Sequence, residues 1–312
     1  MAAVIDLLEC FDEATYLRAN PDVAAAVGPG GPASGLQHFL LHGFREGRSG
    51  APAGLAAAIA AWIDSGELGE WPPDELRERV HGDRDLANFA WLGRRITIDL
   101  LVALHAHGLV DSVRQPTLDF GVGCGRVARF WAALGGGALT GTDIDPETVG
   151  WCGVHLCGRG DGQSVFVTNQ HDPPTSAPDG VFGLVYAISV FTHLPEEMEH
   201  RWITELARIT KPGGVLLLTT HGVDLWDGSS GEASESGFVY SRAGGAAGLP
   251  DFYRTSFHTE HAVRQRWGAA LEIVAIEGKG VNDHQDLVVA RRPSPGLPDL
   301  IGSAPTSASS SS

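Results

Sequence analysis

The sequence predicts an α/β fold, a parallel sheet covered by helices and closed by an antiparallel strand pair, preceded by a small all-α module. Three observations carry this. Thr117 to Phe120 is a short β-rich run that opens into Gly121, Gly123 and Gly125 and continues from Arg126 to Leu134 as a helix. Leu139 to Asp143 then reads as a second strand ending in an acid, which completes a nucleotide-binding βαβ half. Near the C-terminus, Leu271 to Ile276 and Asp286 to Ala290 make a final strand pair.

The glycines let the backbone approach a ligand closely, and the helix N-terminus faces that ligand. Asp143 follows Gly125 by 18 residues, where a carboxylate can accept hydrogen bonds from both hydroxyls of a ribose. An adenosine-containing cofactor is therefore expected, and two classes fit. Gly123, Gly125 and Ala128 satisfy G-x-G-x-x-A, which a dinucleotide site uses to seat a pyrophosphate. Asp119, two residues before the first glycine, opposes that reading: a negative charge there repels a pyrophosphate but suits the ammonium of an amino acid.

The phrase Asp119-x-Gly121-x-Gly123-x-Gly125 resembles the first motif of class I S-adenosylmethionine-dependent methyltransferases. Gly141-Thr-Asp-Ile-Asp-Pro resembles their second motif, Val185-Tyr-Ala-Ile-Ser-Val-Phe-Thr-His-Leu their fourth strand and following loop, and Lys211-Pro-Gly-Gly-Val-Leu-Leu-Leu-Thr-Thr their fifth strand. These motifs, in order, span roughly residues 80 to 292. The resemblance implies a Rossmann-like seven-stranded sheet with an antiparallel last strand. It also implies S-adenosylmethionine as cofactor, held by Asp119, Phe120, Gly121, Gly123, Gly125, Asp143, Ile144, Asn169 and Ser189. The position that contacts the adenine amino group in the family falls on Asn169 or its neighbours Gln170 and Asp172; many members carry Asp there, and an amide still offers an acceptor oxygen. Gly183 replaces an Asp that generally supports structure rather than chemistry.

Composition sets outer bounds. The chain of 312 residues has room for one large domain and a smaller module. Its 22 Lys and Arg against 38 Asp and Glu give a net charge of −16, so the surface should repel nucleic acid. Cys10, Cys124, Cys152 and Cys157 form no C-x-x-C pair, which reads as reduced thiols in a cytoplasmic protein. Residues 1 to 16 lack a basic leader, and the apolar run from Ala51 to Ile63 is too short to span a bilayer, so no membrane insertion is expected.

In chain order, residues 1–50 form the helical module. Asn20 before Pro21 reads as an N-cap; Leu36, Phe39, Leu40 and Phe44 form an apolar face, with Gly43 as a C-cap. The phrases Tyr16-Leu-x-x-Asn-Pro-Asp-Val and His42-Gly-x-x-Glu-Gly-Arg resemble a module recurring in bacterial proteins, including glycosyltransferases of surface-polysaccharide synthesis. A docking surface for a protein partner or for self-association, or a plain helical cap, are the two readings. Residues 51–78 read as a helical linker and 79–293 as the cofactor-binding domain, with helices broken at Gly82 and Gly93. The resemblance makes these helices a lid, with Arg79, Gly82 and Phe89 as candidates to touch ligand.

Pro146 to Gly158 reads as the second crossover helix, Ser164 to Thr168 as the third strand and Val181 to Ile188 as the fourth. A helix then starts at Pro195, carries Met198, Trp202, Leu206 and Ile209 as a core stripe, and ends at Pro212-Gly-Gly. Val215 to Thr220 is the fifth strand. Residues 223–250, rich in Gly, Ser and Ala, read as a substrate-side flap; Glu260 to Trp267 reads as a helix, and 294–312 as a disordered tail.

Methyl transfer from a sulfonium is an in-line displacement that depends on holding an acceptor atom against the methyl carbon. An oxygen acceptor must also lose a proton, for which histidine is best matched. His193 and His221 are the candidate bases, and Tyr253, Arg254 and His258 the candidate acceptor contacts. Asp224, Asp227 and a histidine have no diagnostic metal spacing, and no metal is expected. The expected activity is methyl transfer to a small polar molecule, such as an oxygen of a sugar or glycan precursor. A nucleotide-dependent oxidoreductase and a catalytically silent scaffold are the alternatives.

Overall fold

The computed structural model of the chain describes residues 2–64, 68–158, 164–228, 234–235, 237–241 and 250–294. The tail and much of the flap lie outside these residues. The helices are α1 (Ala2–Glu9), α2 (Glu13–Ala19), α3 (Pro21–Ala26), α4 (Gly35–His38), α5 (Phe44–Glu46), α6 (Leu55–Ile63), α7 (Asp74–His81), α8 (Leu86–Ala106), α9 (Ala128–Ala133), α10 (Pro146–His155), α11 (Glu196–Ile209) and α12 (Glu260–Trp267). The strands are β1 (Thr117–Phe120), β2 (Leu139–Asp143), β3 (Val165–Thr168), β4 (Phe182–Ala187), β5 (Thr210–Thr220), β6 (Phe238–Tyr240), β7 (Ser256–His258), β8 (Glu272–Val281) and β9 (Gln285–Arg291).

Seven strands form one sheet in the order β3-β2-β1-β4-β5-β9-β8. The first five are parallel, and β9 runs antiparallel to both β5 and β8. β1 sits where the order reverses: the chain moves outward through β2 and β3 on one side and through β4 and β5 on the other. The crevice beyond the C-terminal ends of β1 and β4 is thus where an α/β sheet leaves room for a ligand. Burial on both faces explains the unbroken apolar runs of β4 and β5. This is the Rossmann-like, seven-stranded arrangement expected from the sequence. A small hairpin of β6 and β7, which no sequence signal marked, packs beside it.

The N-terminal helices share their core with the sheet. Phe11, Tyr16, Phe39 and Trp62 belong to the same buried cluster as Leu100, Trp131 and Tyr186. Trp62 Nε1 donates to the Phe130 carbonyl at 2.9 Å, and the buried Arg129 donates to the carbonyls of Leu68 and Glu70 at 2.9 and 2.7 Å. Its guanidinium lies over Trp71, 4.5 Å from the ring centre. No helix among the described residues is long and apolar enough to cross a membrane.

Several local expectations need correction. Asn20 makes no side-chain cap; it is buried and donates to the carbonyls of Tyr16 and Ser49 at 2.8 and 2.9 Å, tying two turns together. Gly43 does not end its helix. A π-helical turn, Phe39–Gly43, runs through it into α5, and the left-handed cap is Gly47 at φ 71°. Gly43 is small because a Cβ there would stand 2.4 Å from the Tyr16 hydroxyl. Gly82 does end α7, at φ 85°. Gly93 breaks nothing: α8 continues through it, and a Cβ there would stand 2.2 Å from the Arg126 carbonyl oxygen, so the glycine lets α8 lie directly on the glycine loop. The helix after β4 stops at Ile209, and β5 begins at Thr210, before Pro212.

Candidate active site

Asp119 is the third residue of β1, so the parallel pairing with β2 and β4 carries its carboxylate to the C-terminal edge of the sheet. Gly121 and Gly123 follow in left-handed conformations, at φ 87° and 51°. A Cβ at Gly121 would stand 2.3 Å from Val190 Cγ2, and one at Gly123 would stand 2.9 Å from Val80, so a larger residue would fill the cradle. The Gly123 N–H donates to Asp143 Oδ2 at 2.8 Å, and the Asp145 N–H donates to Asp143 Oδ1 at 3.0 Å. The acid at the tip of β2 is thereby fixed against the loop.

These groups line a cavity of about 440 Å³. Its walls come from the end of α7 and Gly82, the glycine loop, Asp143 to Asp145, Asn169, the loop after β4, the first half of α11, and Phe252, Tyr253 and Thr255. The volume lies within the usual range of small-molecule sites. Of the expected cofactor contacts, Asp119, Phe120, Gly121, Gly123, Asp143, Ile144, Asn169 and Ser189 border the cavity. Gly125 does not; it sits behind the loop, where a Cβ would stand 2.4 Å from Leu156. Arg79 and Gly82 border the cavity, whereas Phe89 is buried behind it with Leu76 and Cys124. The Arg79 guanidinium is engaged by Asp145 and Glu147 at 2.6 and 2.9 Å.

The electrostatics of the pocket are unusual. Asp119 is 3% exposed, and its Oδ2 has no hydrogen-bond partner. Burial foremost, with the neighbouring Asp143 adding and Tyr186 and Arg126 opposing, pushes the Asp119 carboxyl up to about 8. Burial also raises Asp143, against the amide donors of Asp145 and Gly123. Asn169 Oδ1 is a second buried acceptor without a partner. Orphaned acceptors of this kind have a cost unless something donates to them.

The candidate bases separate in space. His193 borders the cavity; its Nδ1–H donates to the Arg254 carbonyl at 3.0 Å, and its ring stacks on Tyr253 with centroids 4.3 Å apart. A carbonyl can only accept, so Nδ1 carries the proton and the lone pair is at Nε2. Burial pulls His193 down to about 4, so the ring is uncharged at neutral pH. His221 lies one layer back, with its ring centre 6.2 Å from that of His193, and does not border the cavity. Burial, and then the nearby His193 and His284, bring it to about 4 as well.

Among the expected acceptor contacts, Tyr253 borders the cavity and its hydroxyl donates to the Ser189 carbonyl at 3.2 Å. The Arg254 side chain instead donates to the Asp251 carbonyl at 3.0 Å, away from the cavity walls. His258 is withdrawn from the acceptor set. Its side chain is fully buried, and Nε2 lies 2.6 Å from Glu199 Oε2, beside Trp267 Nε1, which donates to the other Glu199 oxygen at 2.9 Å. That pairing joins β7 and α12 to α11. Met198 and Trp202 have a second role beyond the core stripe, since both also face the cavity. Sequence reasoning passed over Arg126, which borders the cavity too; its place directly after the last glycine was the available signal. No group of three or more His, Cys, Asp or Glu among the described residues is placed to hold a metal ion.

Comparison with known proteins meets this geometry at the glycine loop. Residues 118–218, from β1 through β5, match the family model described as a methyltransferase domain. Residues 118–218 carry a methyltransferase domain, and the cofactor it implies is S-adenosylmethionine. A curated relative, a sterol 24-C-methyltransferase of Gibberella zeae, is 29% identical over 123 residues, which are 38% of this chain and 32% of that protein. The match therefore spans about a third of that relative's length. Similar solved structures include a 1,6-didemethyltoxoflavin N1-methyltransferase of Burkholderia thailandensis with 1,6-didemethyltoxoflavin and S-adenosylhomocysteine bound. It is 16% identical over 78% of this chain and 93% of that one, with a TM-score of 0.48. The CcbJ methyltransferase of Streptomyces caelestis is 18% identical over 72% and 99%, with a TM-score of 0.47.

The residues of the methyltransferase domain fit this cofactor on their own chemistry. Asp119 offers an unpartnered carboxylate for an ammonium, Asp143 a fixed carboxylate for ribose hydroxyls, Ile144 an apolar wall and Asn169 an unpartnered acceptor for an adenine amino group.

Proposed function

We propose that the chain transfers a methyl group from S-adenosylmethionine to a small polar acceptor, with an oxygen of a sugar or glycan precursor as the acceptor class. The observation that carries the reading is that one cavity holds both the orphaned Asp119 carboxylate and the uncharged His193 imidazole. When bound, the cofactor supplies a methyl carbon on a positively charged sulfur, a leaving group that needs no further activation. Asp119 would hold one end of the cofactor and Asp143 the other, and the glycine cradle admits close backbone approach. His193 would present Nε2 to the acceptor hydroxyl and take its proton as the oxygen receives the methyl group that the bound cofactor would supply. An uncharged imidazole adds no positive charge beside the sulfonium. Val190, Leu194 and Phe252 exclude water from the same space.

The sugar assignment rests on the resemblance of residues 16–48 to a polysaccharide-associated module, and that module is proposed to dock a protein partner or a second copy. The test is incubation of the purified chain with S-adenosylmethionine and separate panels of sugars, nucleotide sugars, sterols and heterocyclic phenols, with S-adenosylhomocysteine and methylated product read by mass spectrometry. Product from a sugar panel, lost in His193→Ala while the cofactor still binds, supports the reading. Product only from a sterol or phenol replaces the acceptor class, and cofactor binding without product from any panel favours the silent scaffold.

A further inference from the structure

A second cavity opens at the opposite end of the sheet from the cofactor site. It encloses about 290 Å³ between a 3₁₀ turn (Val110–Arg114), the start of β4 at Gly183, the start of β5 and the end of β9 at Arg291. It shares no lining residue with the first cavity. Lys211 and Arg291 border it, both half-buried, and neither has a carboxylate partner among the described residues. Lys211 Nζ donates instead to the uncharged Gln115 Oε1 at 3.4 Å. Two acids lie near. Asp111 borders the cavity, but its side chain is 79% exposed and paired with Arg114 at 3.0 Å. Glu272 stands opposite Arg291 in the β8–β9 ladder, yet it is exposed and makes no ion pair among the described residues. Gly183 accounts for the missing counter-charge: it replaces the Asp expected at this place in the strand. A Cβ there would stand 2.4 Å from Gln115 Cβ, so the glycine lets Gln115 fold over the start of β4 and meet Lys211.

We infer that this second cavity binds a phosphate group, either free or carried on a small molecule, through Lys211 and Arg291. Two half-buried cations on one cavity wall repel each other, and a ligand with two negative charges offsets that repulsion. A phosphomonoester carries close to that charge at pH 7, whereas a carboxylate carries one and leaves a cation unbalanced. The arginine fork offers parallel N–H donors to two phosphate oxygens, and the lysine adds a compact point charge. The Gln115 amide nitrogen, which donates to no group among the described residues, is a neutral donor on the same wall. The net charge of −16 repels anions from the surface at large, so a phosphate that binds is drawn by a local cluster. Because the two cavities lie at opposite ends of the strands, this site is open to its ligand whether or not the cofactor cavity is filled.

The test is calorimetric titration of the intact chain with inorganic phosphate, glycerol 3-phosphate and acetate at one ionic strength, with melting temperature read alongside. Saturable binding of both phosphates, one per chain and tighter than acetate, is expected. Tighter glycerol 3-phosphate assigns the site to a carried phosphate, and equal affinity assigns it to the free ion; both outcomes support the inference. Lys211→Ala and Arg291→Ala should each weaken phosphate by about tenfold or more, the range of a lost charge-assisted hydrogen bond. Gln115→Glu keeps the shape of the side chain and hands Lys211 a carboxylate, so it should weaken phosphate to a similar degree without lowering the melting temperature. S-adenosylhomocysteine is titrated into the same variants and should bind each as it binds the native chain, since the cavities share no wall. No saturable phosphate binding up to about 10 mM would overturn the inference. So would acetate binding as tightly as phosphate, phosphate affinity indifferent to all three substitutions, or loss of both ligands together.

Discussion

The His193 Nδ1–H donates to the Arg254 carbonyl at 3.0 Å, and the Arg254 N–H donates back to the His193 carbonyl at 3.2 Å. This reciprocal pair lays residues 251–256 across the loop after β4, stacks Tyr253 on the imidazole and fixes the tautomer with Nε2 as the free base. The position of the base therefore depends on a segment more than 50 residues away in the chain.

The first prediction concerns that base. His193→Ala should lower kcat by about 10²-fold or more, the usual contribution of a positioned acid or base, while the Kd for S-adenosylmethionine stays within about threefold. Because burial holds His193 near 4, protonation removes the base only in strong acid. The kcat/KM profile should thus be free of a His193 limb between pH 5.5 and 8, roughly 1.5 units above that value and beyond. A limb near 6.5 that disappears in the variant would contradict the assignment.

Cofactor binding should be linked to protons. With Asp119 raised to about 8, the carboxyl is protonated in the free protein at pH 7 and must ionise to face an ammonium. Affinity should rise with pH up to about 8, by nearly tenfold per unit well below that value, and then fall as the ammonium of the free cofactor, near 8 itself, loses its proton. Calorimetry at pH 7 in buffers of different ionisation enthalpy should show release of about one proton, and Asp119→Asn should show none.

The same carboxyl predicts a stability trade. The folded value lies above the unfolded one, so the contribution of Asp119 is most favourable below about 4 and is lost as pH rises through 8. Asp119→Asn should therefore melt higher than the native chain at pH 8 and converge with it in acid, at about 2–4 °C per kcal/mol for a domain of this size. Equal melting temperatures at pH 8 would mean that the site is more hydrated than its burial implies.

Gly93→Ala tests the contact between α8 and the glycine loop. Its Cβ would stand 2.2 Å from the Arg126 carbonyl, a backbone atom with little freedom to yield. Overpacking of this kind costs about 1–3 kcal/mol. The variant should melt lower and bind S-adenosylhomocysteine more weakly, whereas Gly150→Ala, where a Cβ meets nothing within 4 Å, should do neither.

Where the sequence was legible, the signals were local. Glycines at 121 and 123, an acid at each of two strand ends and unbroken apolar runs at β4 and β5 are each set by a few neighbouring residues, and they placed the sheet and most of the cofactor wall. The misreadings share one cause, which is tertiary contact. Gly43 and Gly93 look like helix ends by composition but serve close packing, against Tyr16 and Arg126. His258 looked available because its partner, Glu199, is 59 residues away. Arg126 went unnoticed although it directly follows the last glycine, because its border on the cavity is set by the fold around it, where His81 of α7 meets its guanidinium.

The most direct measurement is calorimetric titration of the purified chain with S-adenosylmethionine, S-adenosylhomocysteine and NAD, with Asp143→Ala in parallel. Asp143 is fixed by Gly123 and Asp145 with its carboxylate at the cavity wall, so removing it should weaken the sulfur nucleotides by about tenfold or more. Micromolar binding of both sulfur nucleotides, weakened in the variant and absent for NAD, is the predicted result. Binding of NAD in their place, or sulfur-nucleotide affinity indifferent to Asp143, would contradict the account of this site.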